Sequence, residues 1–254
     1  MLQEQKDYWI DDYGLVWDQY DEAFTEPAPV HALGTLIHTI EAYMAAAEAT
    51  TEPEWLDRAE KMTAFAYKVA SKNNWRIPEY YDEEWQPSLE AGKLCNDGRR
   101  YHEGYVTGHS MQLARFTLQV RAGLRSMGWD VPDYLLEMGT ELFERARVDG
   151  WRRTDGNPGF STGVNDQGDP VPGEDEHQQW VVCEGVCAAV AVRRAMLDDG
   201  HRLDEVEHFE HCYRSFVDYI HDYLITQPGR WVRRLGPRNE NVQPAKSSRW
   251  DVYH

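Results

Sequence analysis

Two helix-length segments joined by a short loop occur three times along this chain, and that pairing restricts it to a narrow set of architectures. Leu33, Leu36, Ile37, Ile40, Met44 and Ala47 recur at intervals of three and four and form one face of a first helix. Pro53 follows Thr50-Thr51-Glu52 and opens a second, in the proline-first pattern, with Trp55, Ala59, Met62, Ala66 and Val69 as its stripe. In the next pair, residues 109–126 are apolar on more than one side, with Met111, Leu113, Ala114, Phe116, Leu118 and Val120. Pro132 opens its partner, which carries the single stripe Leu135, Met138, Leu142 and Ala146. The third pair repeats the contrast. Gln179–Leu197 is nearly all apolar, whereas Leu203–Leu224 is amphipathic through Val206, Phe209, Tyr213, Phe216, Ile220 and Leu224. Inner helices covered on both sides and outer helices with one polar face predict an all-α fold, an α/α toroid of helical hairpins.

The connections between pairs are long. Residues 73–107 are rich in Trp, Tyr, Asp, Glu and Gly, and Asn96-Asp97-Gly98 signals a turn. Residues 149–175 abound in Gly, Pro and Asp, and the tail 226–254 reads as loop. Connections of this length within a compact domain carry function or short strands. No exact repeat and no low-complexity linker is visible, so residues 1–254 are expected to form a single domain.

Charge narrows the function classes. Acidic residues number 44 and basic residues 26, a net charge of −18. That balance speaks against nucleic acid and anionic lipid, which need a basic face. The longest apolar stretch, Trp180 to Val192, is about half a membrane span and contains Glu184. The first residues show no signal-peptide pattern. Cys183 and Cys187 lie one helical turn apart in an apolar run and read as small buried hydrophobes, so a reducing cytoplasm is the expected location.

Three histidines stand at informative places. His38 lies on the first helix with Glu41 three residues on, His109 follows Gly108 at the start of the second inner helix, and His254 ends Trp250-Asp251-Val252-Tyr253-His254. Imidazole is the side chain best suited to proton transfer near neutral pH, although a lone histidine is more often a hydrogen-bonded structural residue. His208 and His211 share a helix face, but no further ligand set has zinc-like spacing, and no metal is expected. Phosphate loops, dinucleotide fingerprints and the Gly-x-Ser-x-Gly elbow do not occur, and no cofactor is expected. Ten Trp, fourteen Tyr and seven Phe are an unusual load; aromatic faces line sugar sites as well as cores.

The order and spacing of several segments carry a family resemblance. They begin with Tyr20-Asp21-Glu22-Ala23-Phe24, His38-Thr39-Ile40-Glu41-Ala42-Tyr43-Met44 and Trp55-Leu56-Asp57-Arg58-Ala59. They continue with Pro78-Glu79-Tyr80-Tyr81-Asp82-Glu83-Glu84-Trp85, Gly108-His109, Trp180-Val181-Val182-Cys183-Glu184-Gly185 and Asp251-Val252-Tyr253-His254. From about Trp9 to His254 the chain resembles the N-acylglucosamine 2-epimerase superfamily, and more closely its mannose and sulfoquinovose isomerase branch. The resemblance implies an (α/α)6 barrel around a sugar cleft, and isomerisation or 2-epimerisation of a free aldose through a cis-enediol without metal or nucleotide. It implies His109 and His254 as the acid/base pair and His38 as a supporting histidine. Glu41, Glu184 and Gln112 would orient substrate, Trp180 and Trp85 would form aromatic walls, and Glu79 would be a loop carboxylate of the cleft.

Two departures stand out. Where the family carries Gly-His-x-x-Glu-Trp, this chain has Gly108-His109-Ser110-Met111-Gln112-Leu113, so Gln112 lacks the family's negative charge. The asparagines and arginine that precede the family's first histidine are replaced in His31-Ala32-Leu33-Gly34-Thr35-Leu36-Ile37. The resemblance also implies that the family's N-terminal third and last helix lie outside this chain, leaving the toroid partial. A non-catalytic carbohydrate-binding relative, an inactive fragment and a homo-oligomer that completes the ring stay open as alternatives.

Overall fold

The computed structural model describes residues 9–11, 13–88, 104–154 and 157–242. The three pairs appear as read: α1 Leu33–Thr50 with α2 Pro53–Ala70, α3 Thr107–Ser126 with α4 Tyr134–Gly150, and α5 Gln179–Asp198 with α6 Glu207–Tyr219. Thr51 ends α1 in a left-handed conformation, φ 60°, and sends its N–H to the Ala47 carbonyl. Pro53 then starts α2, where Glu54 in the first turn and Lys68 in the last complement the helix dipole. The sixth helix starts later than the periodicity predicts. Residues 203–206 fold into tight turns, with Val206 N–H bonded to the Leu203 carbonyl, and Ile220–Leu224 continue α6 as one π-helical turn.

Helices α1, α3 and α5 form an inner row and α2, α4 and α6 an outer layer. The row is parallel, because the first turns meet: Gly34 of α1 approaches His109, and Gly108 of α3 approaches Trp180 of α5. Central α3 buries residues on all sides, from Met111 and Leu113 to Phe116 and Leu118. The expectation of a fully covered helix is corrected for α5. Cys187, Val190 and Arg194 are exposed and Cys183 is only half-buried, because among the described residues α5 has an inner-row neighbour, α3, on one side alone. One apolar cluster runs through all six helices, with Trp55, Tyr43, Phe116, Phe143 and Phe216 among its largest buried side chains.

The long connections carry short strands, as their length implies. Each inner helix is entered from a two-residue strand: β1 His31–Ala32, β3 Tyr105–Val106 and β7 His177–Gln178. Each pairs antiparallel with a strand from the connection after the outer helix: β2 Tyr80–Tyr81, β6 Gly163–Val164 and β10 Arg234–Leu235. The hairpin β4 Trp151–Thr154 with β5 Asn157–Phe160 follows α4, and β8 Ile225–Gln227 pairs with β9 Arg230–Trp231. The inner helices have no side-chain N-cap. Instead their first N–H groups donate to cross-strand carbonyls: Leu33 to Glu79, Thr107 to Thr162 and Gln179 to Arg233, at 2.8–2.9 Å.

A structural repeat follows the paired strands. Residues 82–86, 165–169 and 236–240 make the same turn, the first N–H bonding the fifth carbonyl and the fourth N–H the first carbonyl; residues 11–15 make it again. The fourth position is left-handed each time: Gly14, Trp85, Gly168 and Asn239, φ 58–82°. Asp11, Asp82 and Asn165 accept the third and fifth N–H groups on their side-chain oxygens, which explains the Asp or Asn at the first position.

Candidate functional site

The parallel inner row brings three helix starts to one end of the layer, and His109 sits at the middle one. Its Nδ1 lies 2.7 Å from Oε2 of Glu79, a carboxylate only 4% exposed. The other oxygen of Glu79 accepts the Val106 N–H at 3.2 Å, and its backbone carbonyl accepts the Leu33 N–H. Glu79 therefore ties the starts of α1 and α3 together through three acceptors. The Trp180 ring stands 5.3 Å from the imidazole at 45°, with its indole N–H bonded to Gln178 Oε1 at 2.8 Å. On the other side, a β-carbon built on Gly34 would lie 4.0 Å from His109 Nε2. Glycine at 34 thus puts no side chain of its own between α1 and the His109 ring.

Two turns further along α3 lies a second cluster. Glu184 of α5 is buried and receives Arg115 through Nε at 3.0 Å and Nη2 at 3.1 Å. Gln112 Nε2 reaches the same carboxylate at 3.4 Å. Arg115 also lies 4.1 Å from the centre of the Phe116 ring. Arg115 was not singled out from the sequence. The available signal was an arginine between Leu113 and Phe116 on an inner helix, which needs a partner or an opening.

His38 lies on α1 one turn beyond Gly34, its Nδ1 3.1 Å from Glu41 Oε2, and both side chains are nearly half exposed. The three-residue spacing thus gives the contact it implies. Trp85 is not brought to this surface. It is buried, stacks on His31 with ring centres 4.0 Å apart, packs on Phe65 and Tyr81, and bonds Asp11 through its indole N–H at 2.5 Å. The ring thus packs in the core, and the expectation of an aromatic wall at Trp85 is corrected. His254 falls outside the described residues, as do Asn96-Asp97-Gly98 and Cys95.

Two grooves run between the inner helices beyond Arg115. One of about 590 Å³ is lined by Glu41, Glu48, Leu56, Arg115 and Met127, and one of about 770 Å³ by Arg115, Arg121, Arg125, Val190 and Arg194. At the start of α1, burial pushes the Asp18 carboxyl up to about 7, against the Ala32 N–H and the Thr35 hydroxyl, which favour the ionised form. Burial likewise pushes the Cys183 thiol up to about 11, which keeps it out of nucleophilic chemistry at neutral pH. Among the described residues no three His, Cys, Asp or Glu side chains are grouped to hold a metal ion, and no helix is long and apolar enough to cross a membrane.

Comparison with known proteins agrees with this architecture. Residues 2–254 match the N-acylglucosamine 2-epimerase (GlcNAc 2-epimerase) family. A D-mannose isomerase of Thermobifida fusca is 29% identical over 255 residues, covering 97% of this chain and 58% of the relative. A crystal structure of a D-mannose isomerase superposes with a TM-score of 0.81 at 23% identity, covering 97% of this chain and 59% of that one. The cellobiose 2-epimerase of Spirochaeta thermophila DSM 6192 superposes with a TM-score of 0.72 at 15% identity, over 96% and 57%. These superpositions establish the fold, that of the helical-hairpin barrels. The chain spans under three-fifths of the length of the D-mannose isomerases it matches.

Proposed function

The chain belongs to the N-acylglucosamine 2-epimerase family, and from that membership we propose that it acts on a free aldose as a sugar isomerase or epimerase of the mannose-isomerase type. The observation that carries this reading is the His109–Glu79 pair, 2.7 Å apart at the meeting point of the inner helices, with the Nε2 edge of the ring beside Gly34. A C2 proton beside a carbonyl is weakly acidic, and its removal needs a base within hydrogen-bond reach. In this reading His109 Nε2 takes the C2 proton of the open-chain aldose. The electron pair forms the C1–C2 double bond of a cis-enediol, and the carbonyl oxygen is protonated. Return of a proton to C1, with loss of the C2 hydroxyl proton, gives the ketose; return to the opposite face of C2, with loss of the C1 hydroxyl proton, gives the epimer. His254 is the second acid/base group and His38 the supporting histidine, while Trp180, Glu41, Glu184 and Gln112 shape the substrate surface. The reading needs no cofactor, and its setting is the cytoplasm.

The test is proton exchange at sugar C2. Mannose and fructose are incubated with the protein in heavy water and deuterium is read by NMR, beside a His109→Ala control. Exchange that vanishes in the control is expected; a folded protein that leaves both sugars unlabelled refutes the reading. Gln112, where the family pattern has a carboxylate, favours a second reading of sugar binding without turnover. That reading expects saturable mannose binding in the same unlabelled sample.

A further inference from the structure

We infer that Glu79 is the positioning residue that sets the tautomer of His109. This inference rests on the proposed role of His109 as the base.

The geometry gives an ionised Glu79 one role toward the imidazole, that of acceptor. Oε1 accepts the Val106 N–H at 3.2 Å, and Oε2 lies 2.7 Å from His109 Nδ1. An ionised carboxylate has no hydrogen to give, so beside it His109 Nδ1 carries the proton. The lone pair of neutral imidazole is then on Nε2, the nitrogen beside Gly34. That is the arrangement a base needs. An isolated imidazole favours no such orientation; the second partner of the ring decides it.

Gln112 completes the relationship. Its Nε2 reaches Glu184 Oε1 at 3.4 Å, and Arg115 grips the same carboxylate. A carboxylate at 112 would sit against the buried Glu184 carboxylate with like charge, whereas the amide donates to it. The inner helix thus spends position 112 on holding Glu184, and the histidine draws its acceptor from the loop before β2. Glu79 reaches it because the Leu33 N–H anchors its backbone and the Val106 N–H anchors its side chain.

Glu79→Gln tests this without removing the anchor. The amide oxygen can keep the Val106 bond, which points the NH2 group at His109 Nδ1. Nδ1 must then accept, and the ring proton moves to Nε2. Nitrogen-15 NMR of the full chain, with the His109 signals assigned by their loss in His109→Phe, reads the tautomer directly. The expected result is Nδ1–H in the native protein and Nε2–H in Glu79→Gln at unchanged thermal stability. C2 exchange should fall about 100- to 10,000-fold in kcat with little change in KM, and Glu79→Asp should recover part of it. The same tautomer in both proteins, or an unchanged exchange rate in Glu79→Gln, overturns the inference. If the native protein exchanges no sugar proton, the functional reading fails and the tautomer result alone decides this one.

Discussion

Arg115 and Glu184 join two inner helices through two parallel N–H···O bonds, 3.0 and 3.1 Å long, with the carboxylate almost wholly buried. Breaking such a pair from one side leaves a charge without compensation, which costs about 3–5 kcal/mol. Arg115→Met should therefore destabilise the protein by roughly that much in urea denaturation. The double variant Arg115→Met/Glu184→Leu, which removes both charges, should recover most of the loss. Equal losses in the single and double variants would show that the pair contributes packing rather than charge compensation.

Two glycines beside His109 should respond in opposite ways to the same change. A β-carbon at Gly108 would fall 2.3 Å from the Trp180 ring and 3.0 Å from Val181 Cγ2. Gly108→Ala must move that ring, and a loss of about 1–3 kcal/mol is expected, with a shift in tryptophan fluorescence. At Gly34 the nearest atoms, on His109, lie at 3.9–4.0 Å, an ordinary contact. Gly34→Ala should therefore keep or raise the melting temperature, gaining up to about 1 kcal/mol of helix propensity.

Trp85 stands in a left-handed conformation where the matching turns use Gly14, Gly168 and Asn239. The backbone cost for a non-glycine residue is about 1–2 kcal/mol. The buried ring stacked on His31 is worth more, because deleting a large core side chain costs about 3–5 kcal/mol. Trp85→Gly should therefore still destabilise, by about 2–4 kcal/mol in chemical denaturation. A neutral or stabilising result would mean that strain outweighs packing.

Asp18 makes stability depend on pH in a defined direction. Its folded value is raised to about 7 by burial, so the folded state binds this proton more tightly than the unfolded chain. Its contribution is whole below the ordinary carboxylate range near 4 and is lost as pH rises through about 7. Asp18→Asn imitates the protonated form. It should be more stable than the native protein by on the order of 2 kcal/mol at pH 8, with the difference gone at pH 4. Melting curves of the two proteins that run parallel across this range would refute the assignment.

The six helices and their pairing were legible because helical periodicity is a local property, readable from residues three and four apart. The contrast between all-round apolar and single-stripe segments separated inner from outer helices for the same reason. The His38–Glu41 contact was legible too, since both lie on one helix. What lay beyond the sequence depends on which distant segments meet. Glu79 reaches His109 across thirty residues, and Arg115 reaches Glu184 across sixty-nine. Nothing in local spacing marks either partner. The repeated turn stayed hidden because its signature, Asp or Asn first and Gly or Asn fourth, is broken by Trp85 and by Gly236. The open strip of α5 at Cys187 and Val190 shows the same limit from the other side. Composition says that a helix is apolar all round, but only the packed neighbours decide how much of it is covered. Periodicity thus determined the elements and their layer, while tertiary contact decided which carboxylate serves the histidine, because burial and hydrogen bonding act between atoms that the sequence keeps far apart.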